Sequence, residues 1–234
     1  KFILGGESLA IGTQTGSVST WGLVPSEESG KKFLKIHELS SHEVPVKRLR
    51  NSLRNKSLLS LGEDGKLFYD HMTSRRQLYD FSKEGNIEMA SLSIRVNALI
   101  ALMVNGDIKI WKLENDHPET SAQTLFGKVW YENYPSPEFV WQSSSASDDF
   151  EPKMSLMPLI FGSLKGTFYA MLLSIPLALF GALYTSQFTT PKVRGIVKPT
   201  VEIMAAIPSV VVGFLAALWF APLLEKNLTG FFLT

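Results

Sequence analysis

Cysteine is absent from all 234 residues, so neither a disulfide framework nor a thiolate metal site can be built. Charge imbalance is missing too: 23 Lys and Arg face 22 Asp and Glu, a net of +1. No basic face for nucleic acid is therefore signalled. Catalytic constellations are equally scarce. The four histidines, His37, His42, His71 and His117, lie far apart and never at a metal-ligand spacing such as H-x-x-x-H; they read as surface or strand residues. Glu63 and Asp64 precede a turn glycine and read as turn chemistry, not as an acid and base. No G-x-x-x-x-G-K-[ST] loop occurs, so nucleotide hydrolysis by this chain alone is not expected. No catalytic, cofactor-binding or metal-binding residue can be named, and the expectation is a non-enzyme. The chain starts at Lys1 without a methionine or a signal-peptide pattern and stops in an apolar stretch, which reads as a fragment.

Charge is also what residues 155–224 lack. They hold five charged side chains in 70 positions: Lys165, Lys192, Arg194, Lys198 and Glu202. Residues 203–224 carry none, and 22 residues of helix at about 1.5 Å each can cross a hydrocarbon core of about 30 Å. Pro208, Gly213 and Pro222 weaken a soluble helix but are tolerated in a membrane, where neighbouring helices re-satisfy the backbone. A second uncharged run covers 166–184, with Lys165 one position outside it, placed for its stem to snorkel to the surface. The alternative, a buried helix of a large soluble protein, accounts poorly for two such runs in tandem. Spans are thus expected at 155–188 and 201–226, joined by a basic hinge at 189–200 that carries Lys192, Arg194 and Lys198. Short Lys/Arg-rich loops stay cytoplasmic, so the hinge faces inside and residues 1–154 lie outside the cytoplasm. In a bacterium that is the periplasm.

Residues 1–115 repeat a pattern. L-A-I-G-T-Q-T-G-S-V-S-T-W (9–21), L-L-S-L-G-E-D-G-K-L-F-Y-D (58–70) and I-A-L-M-V-N-G-D-I-K-I-W (100–111) each give a β-prone run, a turn ending in Gly, then alternation. Such alternation behind Asp-Gly or Asn-Gly predicts hairpins with type I′ turns. The anchors Gly16, Gly65 and Gly106 stand 49 and 41 residues apart, 65 less 16 and 106 less 65. That is near the roughly 40–45 residues of a four-stranded propeller blade. Trp21 and Trp111 end their third strands, and His42 stands where a Gly-His is expected, so the run resembles a WD-type repeat. It is degenerate: Gly is missing before His42, Asp70 replaces a Trp, and no Asp follows either Trp. About two and a half blades are expected, with others ahead of Lys1. Some other meander of hairpins is the alternative.

Residues 116–154 read as an aromatic-rich linker. Phe126, Trp130, Tyr131, Tyr134, Phe139 and Trp141 either sit at headgroup level or pack against the β region, and 143–149 reads as a flexible tether.

The membrane half resembles a known family. G-S-L-K-G-T (162–167), P-L-A-L-F-G-A-L-Y-T-S-Q-F (176–188), V-R-G-I-V-K-P (193–199) and E-I-M-A-A-I-P-S-V-V-V-G-F (202–214) are similar to the PstC-type permease subunits of bacterial phosphate ABC importers. The resemblance covers about a third of the chain. It implies that the membrane half forms transmembrane helices of an importer permease; with the repeats of 1–115, the expected fold is two-part, an all-β partial WD-like propeller of antiparallel blades followed by those helices. It also implies a multi-pass subunit of the inner membrane. Implied partners are a second permease subunit, cytoplasmic ATPase subunits that use ATP and Mg, a periplasmic phosphate-binding protein and membrane lipid. No cofactor is expected in this chain itself. The permease-motif residues are Glu202, Pro208, Ser209 and Gly213; no phosphate ligand is assigned. Residues 227–234 then begin the next segment. The propeller-like part departs from the family and reads as a docking or regulatory insertion. The competing reading is a membrane-anchored periplasmic scaffold that binds other proteins and uses its spans only as anchors.

Overall fold

The computed structural model describes residues 1–26, 30–147 and 150–232. It divides into two compact units, Lys1–Leu164 and Lys165–Thr234. Ten strands of the first unit form three antiparallel meanders. The first sheet joins β1 (Ser8–Gly12), β2 (Val18–Ser26) and β3 (Gly30–Glu38). The second joins β4 (Val46–Asn51), β5 (Ser57–Gly62), β6 (Leu67–His71) and β7 (Arg76–Asp80). The third joins β8 (Ile87–Leu92), β9 (Ala98–Met103) and β10 (Ile108–Lys112). The all-β, antiparallel character is as expected, but no closed propeller is formed among the described residues.

The three repeats are the hairpins β1–β2, β5–β6 and β9–β10, but their turns are not type I′. Gly16, Gly65 and Gly106 have φ of 86°, 76° and 90°, whereas Thr15, Asp64 and Asn105 before them do not reach positive φ. Each glycine N–H closes a turn onto the carbonyl three residues back, on Thr13 (3.2 Å), Gly62 (3.1 Å) and Met103 (2.9 Å). These are tight turns followed by one left-handed glycine, whose bulge restores the strand twist. Asp64 Oδ1 accepts the Lys66 N–H at 3.1 Å, the turn chemistry read from its sequence.

Burial follows the alternation. Leu59, Leu61, Leu67 and Tyr69 of the second sheet meet Ile87, Leu99, Ala101 and Met103 of the third. On the opposite face, Leu58 and Met72 meet Ile3, Ala10, Val18 and Leu39. Packed on both faces, β5 is buried at every position, as in a repeat that hides its core only against its neighbours. Two of the turn glycines, Gly16 and Gly65, lie beneath the loops that lead into the next sheet. A Cβ on Gly16 would stand 2.0 Å from the His42 carbonyl oxygen, and one on Gly65 would stand 2.8 Å from Asn86 N. His42 lies in the loop ahead of β4; its Nε2 is 2.9 Å from Ser60 Oγ and its ring 4.6 Å from that of Phe68. Where the other repeats carry Trp, Asp70 is buried and accepts the Ser40 hydroxyl at 2.6 Å.

The linker is partly ordered, with helix α1 (Ala122–Phe126) and paired strands β11 (Trp141–Gln142) and β12 (Lys153–Met154). A Ser121–Thr124 capping box starts α1. Among the linker aromatics, Tyr131 is buried, while Phe126, Phe139 and Trp141 stay exposed. Residues 143–147 of the expected tether have no regular structure, and 148–149 lie outside the described residues.

Helix α2 (Met157–Leu183) continues through a π-helical turn, Tyr184–Phe188. α3 (Pro191–Ala206), α4 (Ser209–Leu215), a second π-helical turn (Ala216–Phe220) and α5 (Ala221–Phe232) follow. Two stretches, Met157–Phe188 and Ser209–Asn227, are long and apolar enough to cross a membrane. The first matches the expected 155–188. The second begins later than the expected 201–226: residues 201–206 belong to α3, which starts at Pro191 and runs on through Pro199 to Ala206. Of the segment expected from 227, residues 233–234 lie outside the described residues.

Candidate transport elements and a buried cluster ahead of the first span

A helix break organises the motif residues. Ile207 leaves the helical region with φ −69° and ψ 129°, and Pro208 caps α4 from an extended conformation. The residue before a proline is driven away from helical geometry, and proline supplies no N–H, so the two helices separate here. Ser209 and Gly213 lie on α4, beyond the break from Glu202 on α3. Nothing lies within 4 Å of a Cβ placed on Gly213, which leaves the surface there open to a close-packed helix. The Lys192, Arg194 and Lys198 of the expected hinge share α3 with Glu202. Lys198 and Glu202, one helical turn apart, form no ion pair although their spacing permits one.

Arg194 has a definite task. Its guanidinium donates to the carbonyls of Thr185, at 3.2 Å, and Ser186, in the π-helical turn that ends the first candidate span. Helix-end carbonyls need outside donors. Hydroxyls supply others: Thr185 to Gly181 O at 2.7 Å, Ser186 to Leu183 O at 3.0 Å and Thr189 to Tyr184 O at 3.1 Å. Lys165 lies 6.0 Å from the Tyr169 ring, an apolar rest for its stem.

The segment leading into α2 carries a cluster that the sequence did not signal. Glu151 Oε2 accepts the Thr73 hydroxyl at 2.6 Å, and its Oε1 lies 3.3 Å from His71 Nε2. His71 Nδ1 lies 3.3 Å from Ser74 N and 2.9 Å from Ser74 Oγ, which leaves Nε2 as the ring nitrogen that faces Glu151. Burial pushes Glu151 up to about 7 and His71 down to about 3. Beside them, Lys56 is buried, pairs with Glu132 and donates to Leu4 O at 3.1 Å. The Lys153 ammonium stands among the rings of Tyr131 (5.7 Å), Tyr134 (5.4 Å) and Phe150 (5.4 Å) and donates to Gln142 at 2.8 Å. Glu151 with His71 and Thr73, and Lys56 with Glu132, come together across 76 to 80 positions, a separation that no local pattern reveals.

Of the four histidines, only His117 is exposed. His37 Nε2 is 2.9 Å from Trp130 O, and burial holds its pKa near 4. Among the described residues, no group of three His, Asp or Glu side chains is placed to hold a metal ion. A cleft of about 530 Å³ borders the cluster. Arg54, Lys56 and Arg95 line it against Asp116, Glu119 and Glu151, so its charges balance and no ligand charge is selected.

No protein-family model matches the chain. Over 89 residues, 38% of this chain, it is 30% identical to a Bacillus subtilis protein described as the probable ABC transporter permease protein YqgH. Over that stretch the chain is similar to a permease. The match spans 29% of the relative's length. With two helices able to cross a bilayer, this similarity supports a membrane protein of the ABC permease kind.

Proposed function

We propose that this chain is part of the permease subunit of an ATP-driven phosphate importer in the bacterial inner membrane. The observation that carries the reading is the 30% identity to an ABC transporter permease. The break at Ile207–Pro208 between α3 and α4 supports it, because a span begun by a proline cap gives a point about which helices can pivot. A simple anchor needs no such break. The permease runs in partnership: a second permease subunit completes the pathway, and a periplasmic binding protein delivers phosphate. ATP and Mg act in separate cytoplasmic subunits, and this chain catalyses no reaction. The basic residues of α3 (Lys192, Arg194, Lys198) lie on the cytoplasmic side, with residues 1–154 in the periplasm.

The test is radiolabelled phosphate uptake at low external phosphate, in cells lacking the complete gene and every redundant importer. Loss of uptake and its recovery on complementation are expected. Unchanged uptake would replace this reading with that of a membrane-anchored periplasmic scaffold.

A further inference from the structure

The second and third sheets carry the same repeat 41 positions apart, so Leu59, Leu61, Leu67 and Tyr69 correspond to Ile100, Leu102, Ile108 and Ile110. In the second sheet these four are 1–2% exposed, because the third sheet covers them. In the third sheet Ile100, Ile108 and Ile110 are 46%, 69% and 67% exposed. They share one face: Ile100 pairs with Ile110, and Leu102 with Ile108. The turn glycine tells the same story. Asn86 and Ile87 backbone passes over Gly65, whereas nothing lies within 4 Å of a Cβ on Gly106.

We propose that the β8–β10 face carrying Ile100, Ile108 and Ile110 is the docking surface for a further antiparallel sheet of this same repeat, supplied by the same polypeptide ahead of β1. The surface is continuous with an interface already built twice. β4 packs on β1, and β8 packs on β5; the covering sheet lays its first strand on β9 in the same way. Its leading loop passes over Gly106 as residues 86–87 pass over Gly65. A contiguous apolar face of aliphatic side chains marks an interaction site, and a repeat sheet buries its face only against another sheet. After β10 the chain turns away into the segment that leads to α2, so a sheet of the same polypeptide reaches this face from the other end. The proposal is independent of the transport reading.

The test uses single-cysteine variants of the complete gene product in permeabilised membranes, labelled with a maleimide. Ile108→Cys and Ile110→Cys are expected to react at least about tenfold more slowly than exposed Lys83→Cys, and equally fast once denatured. Protection is expected to persist in purified, dispersed monomer. Reaction as fast as at Lys83 would overturn the proposal. So would protection lost on dilution to monomer, which would assign the cover to a second copy. Gly106→Ala provides a reading without cysteine. With backbone lying over it, the substitution lowers the unfolding temperature as much as Gly65→Ala; a markedly smaller loss would overturn the proposal.

Discussion

His71 Nε2 and Glu151 Oε1 lie 3.3 Å apart across 80 positions of sequence, with His71 buried and the Glu151 side chain 12% exposed. One proton serves the pair. Between about pH 4.5 and 6.5 the folded cluster keeps it on Glu151, while the unfolded chain keeps it on His71, so stability there is flat. Below about 4.5 Glu151 of the unfolded chain is protonated as well, so the unfolded chain holds two protons to the folded cluster's one, and stability falls as pH drops toward 3. Above about 6.5 the folded state alone still holds a proton, and stability falls until Glu151 ionises near 7. Buried His37 (about 4) and Asp70 (about 6) titrate in the same range, so the pair's share is the difference between the thermal unfolding profiles of wild type and Glu151→Gln from pH 3 to 9. Glu151→Gln should remove the alkaline decline and replace the plateau with an acid decline that begins near pH 6.5, where His71 charges in the unfolded chain; an unchanged profile would dissociate Glu151 from it.

Gly16 tests the contact between successive sheets. Alanine there meets the His42 carbonyl at 2.0 Å in addition to adopting φ 86°. Gly6, at φ 73°, has nothing within 4 Å. Gly6→Ala should cost about 1–2 kcal/mol, the left-handed penalty alone. Gly16→Ala should cost more, about 3 kcal/mol or above, because backbone has to move. Denaturant melts of the two variants measure the difference.

Arg75 occupies, at φ 52°, the left-handed position that Gly16, Gly65 and Gly106 fill in their hairpin turns. Its N–H closes the turn onto Met72 O at 3.3 Å, a bond glycine preserves. Arg75→Gly should stabilise the protein by about 0.5–1 kcal/mol, the relief of strain being partly offset by the entropy of glycine. A rise in unfolding temperature of about 1–4 °C is the expected reading.

Pro208→Ala restores an N–H at the break and lets α3 run on into α4. Phosphate uptake should fall about tenfold or more, with membrane insertion unchanged. Glu202→Gln, on the α3 side, should lower it less. Wild-type uptake in both would confine these residues to structural roles.

The proposed topology predicts that an impermeant maleimide labels Ser41→Cys but not Ser186→Cys in intact cells. Both positions are exposed and the chain offers no competing thiol. The opposite pattern would invert the orientation.

Much of the fold was legible because its signals are local. The glycines at 16, 65 and 106 mark hairpins whatever surrounds them, and an uncharged run such as 166–184 needs only its own length to qualify as a span. Two local readings still changed. The type I′ turns became single left-handed glycines, since only φ at one residue, not two, suffices to reverse these strands. The second span shortened, since α3 gathers 201–206 onto the basic segment before the Ile207–Pro208 break.

By itself the sequence determined an antiparallel β half, an apolar helical half and the residues that break the helices, because periodicity, turn chemistry and absent charge act over a few neighbouring positions. Tertiary structure alone decided that Glu151 meets His71, that Lys56 is buried with Glu132, and that Leu59 is covered while Ile100 is bare. Those outcomes depend on which turns and faces the folded chain brings together, and burial, not residue type, then sets the charge state of each group and the exposure of each face.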